Sequence, residues 1–87
     1  MAFATVPGYL DTLGWTYYKL GQYESAISVL GKAVELDNVV AEHQYHLGMA
    51  YHRVGDVERW RIHIEKSLES EAVFVGSEEA VELVGEF

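Results

Sequence analysis

The stretch that decides the fold is LGWTYYKLG at residues 13–21, which returns as LGMAYHRVG at residues 47–55. The two copies share leucine, glycine, tyrosine and glycine at matching places, and each shared residue recurs after 34 residues. A period of this length is typical of helical hairpins that stack side by side, because each hairpin hides its apolar face only against a neighbour. The repeat therefore predicts a surface that holds another molecule.

Apolar residues recur at steps of three and four around each copy, and this spacing predicts four helices. Pro7 suits the first turn of the first helix, where its missing N–H needs no partner. Gly21 and Gly55 are expected to end the first helix of each hairpin, and residues 37–38 are expected to form the turn between hairpins. A fifth, short helix follows, with an apolar side formed by Ala80, Val81, Val84 and Phe87.

Composition excludes several classes of partner. The chain has 87 residues, no cysteine and a net charge of −8, from 14 acidic and 6 basic residues. Negative charge opposes non-specific binding to phosphate backbones, so nucleic acid is not expected as a partner. The start of the chain lacks the pattern of a signal peptide, and no apolar run is long enough for membrane insertion. We expect a soluble protein, and the sequence does not choose between cytoplasm and periplasm.

Residue patterns typical of catalysis are missing from the sequence. There is no cysteine nucleophile, no glycine-rich phosphate loop and no Gly-x-Ser-x-Gly turn. His43 and His46 lie three residues apart and can share a helix face, but two ligands are too few for a metal site. We therefore expect no enzymatic activity, no bound metal and no cofactor.

The first copy carries a wider pattern, formed by Leu13, Gly14, Tyr17, Gly21, Ala26, Leu30 and Ala33. With these residues the chain resembles the tetratricopeptide repeat family. The resemblance implies an all-α fold of two hairpins in a right-handed superhelical stack, with repeats at residues 7–40 and 41–74. A tail at residues 1–6 precedes them and a capping helix at residues 75–87 follows. Many bacterial members end in such a helix, so we expect the C-terminal piece of a longer bacterial array.

The resemblance also implies a peptide-binding groove. In this family the first helix of each hairpin lines a concave surface, and certain repeat positions commonly face a bound peptide. Carried over to this chain, the candidate groove residues are Asp11, Trp15, Tyr18, Lys19, Tyr45, Met49, His52 and Arg53. Because aromatic side chains and arginine dominate binding hot spots, the expected partner is a protein or a peptide.

The aromatic residues have an alternative role, and one known ligand class of the family is disfavoured. Trp15, Tyr18 and Tyr45 could pack only against neighbouring repeats instead of facing a ligand. The chaperone-binding branch of the family grips a C-terminal carboxylate with lysine, asparagine and arginine at fixed groove positions. Asp11, Trp15 and His46 stand at three of these positions here, so recognition of chaperone tails is disfavoured.

Trp60 breaks the small-residue rule of the repeat, since the first copy has Ala26 at the same position. If Trp60 faces Gly48 as Ala26 is expected to face Gly14, overpacking costs about 1–3 kcal/mol. Trp60 could instead lie under the final helix, with Phe74 and Phe87 as neighbours. Alternatively, the hairpin opens at Gly55 and exchanges helices with a second chain, or Trp60 projects outward as an anchor. A substitution introduced by an experimenter would also explain the departure.

Self-association follows from Trp60 and from the uncovered N-terminal face of the first repeat. We expect a homodimer or a domain swap with Trp60 and Gly55 as its candidate residues, so a structural assembly unit is the alternative to a peptide-binding module. The mass measured by sedimentation should therefore rise with protein concentration in the micromolar range. A monomer throughout would contradict this expectation. Dimers that persist after Trp60→Ala would point to the open end of the stack.

Overall fold

The computed structural model describes residues 6–69 and 74–85. Its helices, in chain order, are α1 (Pro7–Lys19), α2 (Tyr23–Leu36), α3 (Ala41–Arg53), α4 (Val57–Leu68) and α5 (Ser77–Gly85). Helices α1 and α2 form the first hairpin, α3 and α4 form the second, and α5 packs against α4. The predicted all-α fold of two hairpins and a C-terminal helix is confirmed.

The two hairpin turns are built alike. Gly21 and Gly55 both have a φ of +79°, a backbone conformation that side chains with a β-carbon rarely adopt. In each turn the residue after the glycine donates its N–H to the carbonyl of the repeat tyrosine, at 2.9 Å in the first hairpin and 3.1 Å in the second. The α4 helix begins after Asp56, whose carboxylate accepts the N–H of Arg59 at 3.1 Å. Both glycines therefore end their helices as predicted.

Each hairpin closes tightly at the glycine of its first helix. A β-carbon placed on Gly14 would lie 2.5 Å from Cγ of Leu30, and one on Gly48 would lie 2.7 Å from Cγ1 of Ile64. Such distances are shorter than van der Waals contact, so only glycine permits this approach of the helices. The expectation that Trp60 faces Gly48 is wrong, because Ile64 is the residue that fills the gap.

Trp60 instead belongs to a buried cluster with Tyr45, Ile64 and Ala80, and its exposed fraction is 7%. Ala80 comes from α5, and Phe74 packs against the same cluster. This arrangement agrees with the alternative in which Trp60 lies under the final helix, and it leaves no outward anchor at this position. Phe87, the other expected neighbour, lies outside the described residues.

The apolar side of α5 differs from the expectation at one residue. Ala80 is fully buried and Val84 packs against the Trp60 cluster, whereas Val81 has an exposed fraction of 59%. Val81 follows Ala80 directly, and neighbouring residues on a helix point about 100° apart, so only one of them can face α4. The prediction for Val81 is therefore wrong.

The outer face of α1 is exposed where the matching face of α3 is buried. Thr12 and Thr16 are exposed, and their counterparts one repeat later, His46 and Ala50, are buried. The hydroxyl of Thr12 donates to the carbonyl of Gly8 at 3.0 Å, and that of Thr16 donates to the carbonyl of Thr12 at 2.8 Å. Tyr9 on the same face is also exposed, at 46%, so the face combines hydroxyl groups with an aromatic ring. Self-association through this face stays a prediction.

Candidate functional site

A continuous row of rings crosses the first helices of the two hairpins and ends at Tyr23 on α2 and at Phe74 before α5. Trp15 stacks on Tyr18 with 4.3 Å between ring centroids, and it stacks on His46 with 4.0 Å. Further ring contacts of 5.5 to 5.7 Å extend the row at both ends. In order of contact, the row runs through Tyr23, Tyr18, Trp15, His46, Tyr45 and Phe74. The fold thus brings predicted groove residues from both repeats together.

Arg53 lies at the Tyr23 end of the row. Its Nε donates to the hydroxyl of Tyr18 at 3.0 Å. Its guanidinium carbon lies 5.5 Å from the centroid of the Tyr18 ring and 5.7 Å from that of the Tyr23 ring, within the range of cation–π attraction. Lys19, next to Tyr18 in the sequence, is exposed as Arg53 is. This end of the row is therefore both aromatic and cationic.

Tyr45 lies near the other end and is covered by the C-terminal segment. Its exposed fraction is 3%, and its hydroxyl donates to Oε2 of Glu79 at 3.0 Å. A β-carbon at Gly76 would run into its ring, so the backbone before α5 rests directly on Tyr45. Burial raises the pKa of the Tyr45 hydroxyl, and the Glu79 carboxylate adds to the effect. Tyr45 does not present its side chain to a ligand here, contrary to its predicted place in the groove.

Asp11 is also buried, with an exposed fraction of 6%. Its two carboxylate oxygens lie 2.8 and 2.9 Å from Nδ1 of His46, and Nε2 of His43 is 4.0 Å away. Because a carboxylate only accepts, Nδ1 of His46 carries the hydrogen of this bond. Asp11 thus joins α1 to α3 beneath Trp15, and its predicted contact with a ligand is not possible in this arrangement.

Met49 and His52 lie on α3 and are half-buried. Met49 packs against the cluster that contains Trp60, and the His52 ring meets the Trp60 ring edge-on at 5.1 Å. Contacts with the Trp60 cluster therefore hold one side of Met49 and of His52, while part of each side chain remains accessible. We call the accessible part of the predicted groove the α1–α3 surface, and it consists of Trp15, Tyr18, Lys19, Met49, His52 and Arg53.

His46 was not among the predicted groove residues, although its ring stacks on Trp15. The sequence separation could have indicated this contact. Asp11 and His46 are 35 residues apart, one more than the repeat period, and residues with this spacing lie at neighbouring positions of α1 and α3. Tyr18 and Arg53 have the same separation. Within residues 6–69 and 74–85, no group of three or more histidines and carboxylates is arranged to hold a metal ion. Nor is any helix in these ranges long and apolar enough to cross a membrane.

Comparison with known sequences identifies the repeat. A sequence model described as "TPR repeat" matches residues 14–55, and one described as "Tetratricopeptide repeat" matches residues 41–73. The chain contains tetratricopeptide repeats. Repeats of this family generally mediate contacts between proteins, and they are not enzymes.

Part of this chain is similar in sequence to a known protein. The chain is 34% identical over 67 residues to "Heat shock protein STI1" of Saccharomyces cerevisiae. The match covers 69% of this chain and 11% of the relative. The chain thus spans only a small part of the length of that protein.

Proposed function

We propose that this chain is a protein-interaction module that binds a peptide segment on the α1–α3 surface. The observation that carries the proposal is the half-buried stack of Trp15 on Tyr18, placed on α1, the first helix of a tetratricopeptide hairpin. Such rings offer a large apolar area with few rotatable bonds, and tryptophan, tyrosine and arginine are enriched at binding hot spots.

The geometry of the stack supports rigid binding. Trp15 lies between the rings of Tyr18 and His46, and His46 is held by the Asp11 carboxylate. A side chain that is already ordered loses little rotational freedom when a ligand arrives, so more of the contact energy appears as affinity. Asp11 does not touch the peptide in this proposal. It holds the His46 ring in place against Trp15.

The α3 side of the surface supplies adaptable contacts. Met49 is unbranched and polarizable, so it can adjust to apolar side chains of different shape. His52 lies one residue before the cationic Arg53 and offers a polar ring. An apolar ligand side chain against Met49 and the accessible part of Trp15, followed by polar groups toward Arg53, fits this order of residues.

Replacing Trp15 by alanine should weaken peptide binding by about tenfold or more, since the main apolar anchor is lost. Peptides are first selected from a random library displayed on phage, and the affinity of a selected peptide is then measured by fluorescence anisotropy. Met49→Ala provides a second variant with a smaller expected loss. Circular dichroism confirms that each variant retains its helices.

Ile62→Ala is the matched control, because Ile62 is an exposed apolar residue on α4, outside the α1–α3 surface. This variant should bind the selected peptide as the unaltered chain does. If folded Trp15→Ala and Met49→Ala proteins both keep full affinity, the peptide binds elsewhere and the proposal is wrong.

A further inference from the structure

We infer that the bound segment carries an acidic side chain and that Arg53, held by Tyr18 and Tyr23, binds its carboxylate. This inference rests on the proposed function of the α1–α3 surface and names the chemistry of its ligand. It concerns a glutamate or aspartate within the segment, at the cationic end of the row of rings.

The contacts of Arg53 leave one edge of its guanidinium for a ligand. Its Nε is engaged by the Tyr18 hydroxyl at 3.0 Å, and the two tyrosine rings lie within 5.7 Å of its guanidinium carbon. The two terminal nitrogens form the opposite edge, and a carboxylate can accept a hydrogen bond from each of them. The position of Arg53 is thus fixed by protein contacts that do not use its carboxylate-binding edge.

The hydroxyl of Tyr18 adds a donor to the same place. It accepts the hydrogen bond from Nε of Arg53, so its own hydrogen is not used in that bond. A carboxylate beside the guanidinium can therefore accept from Tyr18 as well as from Arg53. Hydrogen bonds to charged groups are roughly twice as strong as those between neutral groups, which favours an anion at this position.

Other arginines of the chain already have carboxylate partners. Arg59 lies 2.7 Å from Asp56, and Arg61 lies 2.8 Å from Glu65. Neither Arg53 nor Lys19 forms a salt bridge with any carboxylate in the part of the chain that the structure describes. An incoming carboxylate at Arg53 therefore displaces no existing ion pair.

The overall charge of the chain favours a ligand with one carboxylate next to apolar residues over a ligand with many negative charges. A net charge of −8 repels polyanions at long range, whereas a single carboxylate gains mainly from short-range contacts with Arg53. The neighbouring Trp15 and Tyr18 rings favour an apolar residue beside the acid. Charge and shape together fit a peptide segment better than a nucleic acid.

The selection of peptides from a random library tests the inference directly. Each peptide is fused at its C-terminus to the phage coat protein, so no free terminal carboxylate is present. The net negative charge of the chain attracts basic peptides non-specifically. Enrichment of aspartate and glutamate among the selected peptides would therefore come from a local site, and this enrichment is the expected result.

Arg53→Gln should remove the enrichment and weaken a selected acidic peptide by about tenfold, as expected for a lost charged hydrogen bond. Changing the peptide glutamate to glutamine should weaken binding to the unaltered chain and have little effect on the Arg53→Gln variant. This combination of changes isolates the contact between the two groups. Arg59→Gln is the matched control, because Arg59 is paired with Asp56 outside the surface and should not alter affinity.

Several results would overturn the inference: selected peptides without acidic enrichment, an equal loss of affinity in Arg53→Gln and Arg59→Gln, or full affinity for the glutamine peptide. If Trp15→Ala still weakens binding in these cases, the proposed function stands and only the acidic ligand is wrong. If Trp15→Ala, Met49→Ala and Arg53→Gln all leave binding unchanged, both fail. A library that yields no binding peptide also counts against both.

Discussion

Trp60→Ala is expected to bring this chain close to unfolding. Trp60 is 7% exposed and lies in the buried cluster that joins the second hairpin to α5. Truncating a buried aromatic residue to alanine costs about 3–5 kcal/mol, because contacts are lost and a cavity remains. The free energy of unfolding of a small domain is roughly 5–15 kcal/mol, so this loss is a large part of the total. Thermal unfolding followed by circular dichroism measures it.

The direction of the change separates two explanations of Trp60. If the indole overpacked the gap beside Gly48, alanine would relieve strain and raise the melting temperature. In the structure that gap is filled by Ile64, so alanine should lower the melting temperature strongly. Val81→Ala is the control on α5, since Val81 is 59% exposed and its truncation should change stability by less than about 0.5 kcal/mol. An unchanged or raised melting temperature for Trp60→Ala would contradict the packing described here.

Gly48→Val should also destabilise the chain severely. The first carbon of a side chain at this position would lie 2.7 Å from Cγ1 and Cδ1 of Ile64, and 3.1 Å from its backbone nitrogen. Ile64 is fully buried, so it has no open space into which it can move. The two helices must separate, and overpacking of this kind typically costs about 1–3 kcal/mol or more. Urea unfolding should show a lower midpoint than for the unaltered chain.

Gly31→Ala is the matched glycine control. Gly31 lies inside α2, and a β-carbon there would meet no atom within 4 Å. Alanine is a better helix former than glycine by about 1 kcal/mol, so this variant should be more stable than the unaltered chain. Opposite signs for the two substitutions would show that close helix approach decides the effect. Equal midpoints for Gly48→Val and the unaltered chain would be incompatible with the contact to Ile64.

The helices and turns could be predicted because local sequence determines them. Gly21 and Gly55 mark both hairpin turns, and both adopt the positive φ that such turns require. The three- and four-residue spacing shows which face of each helix is apolar, but it does not fix the rotation of that face against its neighbour. Ala26 and Leu30 are four residues apart on one face, so the sequence did not decide which of them contacts Gly14. The same ambiguity led to the wrong partner for Gly48.

The site was only partly predictable because the neighbouring repeat or α5 covers some of its residues. Asp11 and Tyr45 occupy groove positions in the family pattern, but His46 and Glu79 engage them. These partners depend on the side chains present in the next element, which a repeat pattern does not specify. Trp15 remains half-buried, since the two rings that stack on it do not cover its whole surface.

The side-chain bonds that link successive repeats have a consequence for folding. Asp11 to His46 and Tyr18 to Arg53 span 35 residues, and Tyr45 to Glu79 spans 34. A separation of 34 or 35 residues is large in a chain of 87, so closing such a contact before the hairpins form would cost much chain entropy. Structure can begin in either hairpin and spread to the adjacent unit, because coupling acts between nearest neighbours. The first two bonds therefore couple the folding of the two hairpins, and the third couples the second hairpin to α5.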